Sequence, residues 1–188
     1  MSRFLGFIVV ITASLNPGFA QDPGPIRWEK TIAAFEKQDR ISPPPKDAML
    51  FTGSSSITNW TNLGKAFPEF PVINRGFGGS TTPDVNYFVE RIVLPYKPQI
   101  VVLYSGSNDI AARRTPNQVL ADFQTFVKRI HAALPETNVF YISIHTPPGR
   151  AKLRESNEQT NKLIAAECAR RVGNRTRTGD FQIHNLAL

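Results

Sequence analysis

Ile100-Val101-Val102-Leu103-Tyr104 runs straight into Ser105-Gly106-Ser107-Asn108-Asp109, and this junction decides the fold. Five apolar residues without polar alternation read as a strand buried on both faces, and the polar run after it reads as the loop leaving that strand. Working outward, Val72-Ile73-Asn74 is a second short strand ahead of Gly76-Phe77-Gly78-Gly79. Ala48-Met49-Leu50-Phe51-Thr52 is another, stopped by Gly53, and Val139-Phe140-Tyr141-Ile142-Ser143-Ile144 is a fourth. Helical stretches separate them: Pro83 to Leu94, Pro116 to Leu134 with proline in its first turn, and Leu153 to Val172. Ahead of the first strand, Trp28, Ile32 and Phe35 share one face of a helix that runs to about Asp39 and is ended by Pro43-Pro44-Pro45. Apolar strands alternating with helices predict a three-layer α/β/α sandwich with a central parallel sheet covered on both faces. No internal repeat is present.

The composition fits one such domain. The 188 residues are 41% hydrophobic and 20% charged, which suits a globular core and excludes a disordered or fibrous chain. A formal net charge of +7 favours anionic surfaces, but the basic residues are scattered apart from a surplus between Arg150 and Arg177. No zinc-finger spacing or aromatic RNA-binding pattern accompanies them, so nucleic acid is not an expected partner. The single cysteine, Cys168, excludes an internal disulfide and a multi-cysteine metal site. On the last helix it reads as a small buried apolar residue. Neither a metal-ligand spacing nor a phosphate loop occurs, and no cofactor is implied.

The first twenty residues read differently from the rest. Arg3, the apolar run Phe4 to Leu15, and Gly18-Phe19-Ala20 make a secretory signal cleaved after Ala20. The run is too short to span a bilayer, so no stable membrane anchor is expected and residues 21–188 form the exported domain, secreted or periplasmic.

In a parallel α/β sheet, ligands bind where loops leave the carboxyl ends of the strands. Three such loops here are polar: Gly53-Ser54-Ser55-Ser56, Asn74-Arg75-Gly76-Phe77-Gly78-Gly79-Ser80 and Ser105-Gly106-Ser107-Asn108-Asp109. Together they offer a hydroxyl at a helix start, a glycine with a bare backbone amide, and a carboxamide. That set suits acyl transfer, in which a serine attacks and fixed donors hold the oxyanion. Taken singly each has a plainer reading. The serines suit a helix N-cap, Asn108-Asp109 suits a turn, and the glycines resemble a dinucleotide fingerprint, although Thr81 stands where its third glycine belongs.

The three blocks in this order resemble the SGNH hydrolases, the GDSL-type esterases and lipases, with a flavodoxin-like fold. Phe51-Thr52-Gly53-Ser54-Ser55-Ser56-Ile57 is similar to the first block in its bacterial G-S-S-S-I form, which implies Ser55 as nucleophile. Asn74 to Thr82 is similar to the second, which implies the Gly79 backbone amide as an oxyanion donor. Gly106-Ser107-Asn108-Asp109 is similar to G-x-N-D and implies the Asn108 side chain as another. The resemblance runs from about Ala48 to Val172, and it implies a small ester or an acylated glycan as substrate.

The fourth block of that family, D-x-x-H, supplies the base and the residue that orients it, and this chain lacks it. Gly173 to Asp180 is polar where an apolar strand is expected, so the domain reads as C-terminally incomplete, its final strand missing or replaced. Phe181-Gln182-Ile183 is the only extended apolar stretch after the last helix. Asp180 and His184 imitate the missing pair with one residue too many between them, which turns the two side chains apart. His145 follows the fourth strand, and His131 lies on a helix face. The chemistry therefore reads either as ester hydrolysis or as that of a catalytically impaired, binding-only relative. A shortened sheet predicts marginal stability and self-association through an uncovered edge. Of the remaining residues, Trp60 and Phe67 read as packing behind Ser55, and Arg113 and Arg114 as a solvated loop.

Overall fold

The computed structural model describes residues 24–175 and 184–186. Strands β1 (Met49–Gly53), β2 (Val72–Gly76), β3 (Ile100–Tyr104), β4 (Asn138–Ile142) and β5 (His184–Leu186) form one sheet in the order β2-β1-β3-β4-β5. All neighbouring strands are parallel, as expected. The described helices are α1 (Glu29–Ile41), α2 (Ser55–Thr58), α3 (Leu63–Ala66), α4 (Thr82–Ile92), α5 (Ser107–Ala111), α6 (Pro116–Ala133) and α7 (Arg154–Arg175). None of them is long and apolar enough to cross a membrane. The proposed signal sequence lies outside the described residues.

Strand order and the right-handed rule for parallel crossovers fix which helix lies on which face. The steps β2 to β3, β3 to β4 and β4 to β5 all advance in one direction across the sheet, so α4, α6 and α7 fall on the same face. There Phe88, Phe123, Phe126 and Ile164 pack with α1's Ile32 on Leu50, Ile73, Val101, Leu103, Val139 and Tyr141, all buried. The step β1 to β2 runs the other way and puts α2 and α3 on the opposite face. These single-turn helices cover Phe51, Val102, Tyr104 and Ile142 with Ile57 and Leu63, helped by Trp60 and Phe67. The Phe51 ring centroid lies 5.1 Å from Phe67 and 5.8 Å from Trp60, the packing expected of both aromatics.

The two outer layers are therefore unequal, although both faces of the sheet are covered as expected. On the thin face a wholly apolar cavity of about 290 Å³ lies between Met49, Trp60, Phe67 and Phe140. After β4, where the final strand is expected to be missing or replaced, the sheet continues. A three-residue strand, β5, lies alongside, with His184, Asn185 and Leu186 opposite Phe140, Tyr141 and Ile142. It begins one residue after the stretch Phe181 to Ile183, which lies outside the described residues.

Local chemistry sets the helix starts. At α6, Thr115 and Gln118 form a reciprocal cap: the Thr115 amide donates to Gln118 Oε1 at 2.8 Å and the Gln118 amide to Thr115 Oγ1 at 3.3 Å. At α4, Asp84 Oδ2 accepts from the Thr81 amide at 2.9 Å and from Arg27 Nη2 at 2.8 Å. A carboxylate at that end also complements the helix dipole.

Candidate active site

Gly76, Gly53 and Tyr104 stand side by side in the sheet at the carboxyl ends of β2, β1 and β3. In the strand order found here the chain switches direction between β1 and β3, the crevice where ligands of such sheets sit. Ser55, Gly79 and Asn108 each follow one of these three ends.

The loop after β1 turns at Gly53, whose φ is +125°. A Cβ at Gly53 would stand 1.9 Å from the Tyr104 carbonyl oxygen, so only glycine lets the chain pass. Ser54 then ties the loop to β3, its amide donating to the Tyr104 carbonyl at 3.0 Å, and its own carbonyl accepts from the Ile57 and Thr58 amides. This closes α2 with Ser55 at its first position and exposed to solvent. The Ser55 amide, one of the orphan donors of a helix start, makes no hydrogen bond among the described residues. Asn74 fastens the assembly from β2: its Nδ2 donates to the Ile57 carbonyl at 2.7 Å, and its Oδ1 accepts from the Gly76 amide at 2.9 Å.

The loop after β2 bridges the other two. A Cβ placed on Gly78 would lie 3.8 Å from Ser55 Cβ, so Gly78 rests against the serine. Two residues on, the Ser80 carbonyl accepts from Asn108 Nδ2 at 3.0 Å. Gly79 lies between these contacts, exposed, at a φ of +82°. Its amide has no hydrogen-bond partner among the described residues. The ring of Trp28 lies behind it, 3.4 Å from where a Cβ would be. The structure thus brings Ser55, Gly79 and Asn108 to one edge of the sheet, linked through a single loop.

Asp109, next to Asn108, is fully buried, and both its oxygens accept from the Thr82 amide, at 3.0 and 3.1 Å. Burial pushes its carboxyl up to about 6, against the opposing pull of the Thr82 amide. Asp109 therefore locks the Asn108 loop to the start of α4. Arg114, expected in solvent, instead pairs with Asp122 and lies 3.7 Å from Asp109. Burial pushes the Cys168 thiol up to about 12, which makes it an inert core residue as expected.

The histidines are spread out. His131 meets the Thr137 carbonyl at 3.1 Å, His145 is exposed in the loop after β4, and the His184 backbone pairs in register with Phe140, two residues short of the strand end at Ile142. Asp180 lies outside the described residues.

Asn74 and Asp109 stand within the second and third blocks and Arg150 at the start of the basic surplus, and spacing alone assigns none of the three a part in the site. Arg150, in the 3₁₀ turn Pro148–Leu153, donates from Nη1 to Ser107 Oγ at 3.2 Å and to Asn108 Oδ1 at 3.3 Å.

Residues 45–177, which contain all three loops, match the GDSL-like Lipase/Acylhydrolase family. The chain belongs to that family. No curated protein sequence matches it. Among solved structures, a platelet activating factor structure from Streptococcus pneumonia is similar at 15% identity and a TM-score of 0.69, covering 86% of this chain and 75% of that one. A GDSL-like lipase from Bacteroides thetaiotaomicron is similar at 18% identity and a TM-score of 0.61, covering 86% and 77%. A catalytic mutant of an acetylxylan esterase from Geobacillus stearothermophilus is similar at 15% identity and a TM-score of 0.52, covering 74% and 76%. At these identities the likeness is one of fold, and the GDSL-like chain shares with them its central parallel sheet and flanking helices.

Proposed function

We propose that this GDSL-like chain is an exported hydrolase of carboxylic esters that works through Ser55. The observation that carries the reading is the exposed, unpartnered Gly79 amide held between Gly78 against Ser55 and Ser80 on Asn108. In the proposed reaction the Ser55 hydroxyl oxygen attacks the acyl carbon and its proton passes to solvent. The carbonyl oxygen takes up the negative charge, and the amides of Ser55 and Gly79 and the carboxamide of Asn108 donate to it. The carbon–oxygen bond to the alcohol then breaks, leaving an acyl-serine that water hydrolyses.

The expected pace follows from the residues placed at the site, which are oxyanion donors and a nucleophile. The oxyanion contribution and binding alone are worth about 10³ to 10⁴ over water, as in a serine enzyme stripped of its triad. The Asp180 and His184 pair is the candidate replacement in this chain, and His184→Ala tests it. Small acetyl esters and acetylated sugars are the substrate classes to try, and no cofactor enters the scheme.

Initial rates with 4-nitrophenyl acetate and with peracetylated xylose test the reading, wild type against Ser55→Ala. Slow hydrolysis that depends on Ser55 supports it. Ligand retention by titration calorimetry with no Ser55-dependent turnover favours the binding-only relative instead. Export is tested separately, by the N-terminal residue of the protein recovered outside the cytoplasm: Gln21 is expected.

A further inference from the structure

We propose that Arg150 is a positioning residue that fixes and polarises the Asn108 carboxamide for oxyanion binding, an inference that rests on the reading of Ser55, Gly79 and Asn108 just given. Asn108 is held at both ends. Its Oδ1 accepts from Arg150 Nη1 at 3.3 Å, and its Nδ2 donates to the Ser80 carbonyl at 3.0 Å. Turning the carboxamide over would set Oδ1 against a carbonyl oxygen and Nδ2 against a guanidinium, so both contacts select the same orientation. A carboxamide nitrogen carries two hydrogens. One is spent on Ser80, and the other is left for the substrate.

Arg150 is suited to this in three respects. Its Nη1 also carries two hydrogens, one for Ser107 Oγ at 3.2 Å and one for Asn108, so a single nitrogen spans both oxygens. Its backbone leaves 3₁₀ geometry at Arg150 itself, with φ −119° and ψ 24°, in the turn that brings the side chain to the Asn108 loop. Finally, Arg150 has no carboxylate partner among the described residues, unlike Arg75, Arg91, Arg114, Arg129 and Arg171. Its charge is therefore not neutralised, and it draws electron density from the amide, making the remaining Nδ2 hydrogen a better donor.

The test is a double-mutant cycle on the full chain with two esters, neutral 4-nitrophenyl acetate and anionic 4-nitrophenyl hydrogen succinate. Arg150→Met is expected to lower kcat about tenfold with KM unchanged for both esters, less than the loss of a whole donor. Arg150→Lys recovers most of this, because one ammonium can make both bonds. In an Asn108→Ala background Arg150→Met has no further effect. An undiminished effect in that background overturns the proposal and leaves the site reading standing. A loss confined to KM of the succinate ester also overturns it, in favour of recognition of a substrate anion. An Asn108→Ala rate equal to wild type removes the site reading and the proposal together. Independently of turnover, the Asn108 side-chain amide resonances, identified by their loss in Asn108→Ala, must shift in Arg150→Met and return toward wild type in Arg150→Lys. Unmoved resonances overturn the proposal.

Discussion

The Asn108 carboxamide donates to the carbonyl of Ser80 across 28 residues of sequence, at 3.0 Å. Together with the Thr82 amide on Asp109 and the Thr82 hydroxyl on Ser105, this bond joins the loop after β3 to the segment after β2 and sets the spacing between two of the proposed oxyanion donors. Replacing Asn108 by alanine removes a donor aimed at charge that develops only in the transition state. The expected outcome is a kcat lower by about 10² to 10³ with little change in KM, if the bond is worth what other oxyanion donors are worth. Initial rates with 4-nitrophenyl acetate check it.

Asp109 makes stability depend on pH in an unusual direction. Its carboxyl titrates near 6 in the folded chain against 3.8 unfolded, so the folded form holds this proton more tightly. Its contribution is therefore complete below about pH 3.8, falls as pH rises through 6, and is flat above that. Asp109→Asn abolishes the dependence. Urea titrations of both forms between pH 3.5 and 7.5 should show wild type losing about 3 kcal/mol relative to the variant, at about 1.4 kcal/mol per pKa unit. Parallel curves would refute the burial argument.

Two glycines in the site should respond oppositely to alanine. At Gly53 a Cβ meets the Tyr104 carbonyl oxygen at 1.9 Å at a positive φ, while at Gly78 its nearest neighbour is Ser55 Cβ at 3.8 Å. Gly53→Ala should cost more than about 3 kcal/mol and displace Ser55, and Gly78→Ala should stay within about 1 kcal/mol. Thermal melts of the two variants against wild type separate the cases.

The thin face of the sheet predicts how the purified chain behaves. Met49, Trp60, Phe67 and Phe140 surround an apolar cavity beside two single-turn helices. Apolar surface of this kind drives association. Sedimentation velocity should show concentration-dependent self-association that Phe140→Lys weakens. The melting midpoint should fall below about 60 °C, within the mesophile range. A monomeric, cooperative transition above that temperature would contradict both the marginal stability and the self-association.

Much of this was legible in the sequence where the signal is local. The unbroken apolar run Ile100 to Tyr104 is β3 residue for residue, and Pro116 opens α6 as its fixed φ requires. The serines marked the start of α2, but its extent and the whole of α3 and α5 were not legible, because four or five residues do not complete enough of a period to show one face. Unequal layers were hidden for a different reason. Apolar strands show that both faces are covered somehow, whereas the handedness of each crossover, acting on the order β2-β1-β3-β4-β5, decides how many helices each face receives. The motifs pointed to Ser55, Gly79 and Asn108, but the contact of Arg150 with Asn108 spans 42 residues and leaves no trace in spacing.

The measurement that bears most directly on the central claim is the site of acylation. Because 4-nitrophenolate leaves without being protonated, acylation by this ester leans less on a positioned base than the attack of water on the acyl group does, so acyl-serine should accumulate. After incubation with 4-nitrophenyl acetate and an acid quench, peptide mass spectrometry should find the acetyl group on Ser55. It should be absent from that peptide in Ser55→Ala and reduced in Asn108→Ala. Acetyl groups confined to lysines, or to Ser54 or Ser56 and unchanged by Ser55→Ala, would contradict the account.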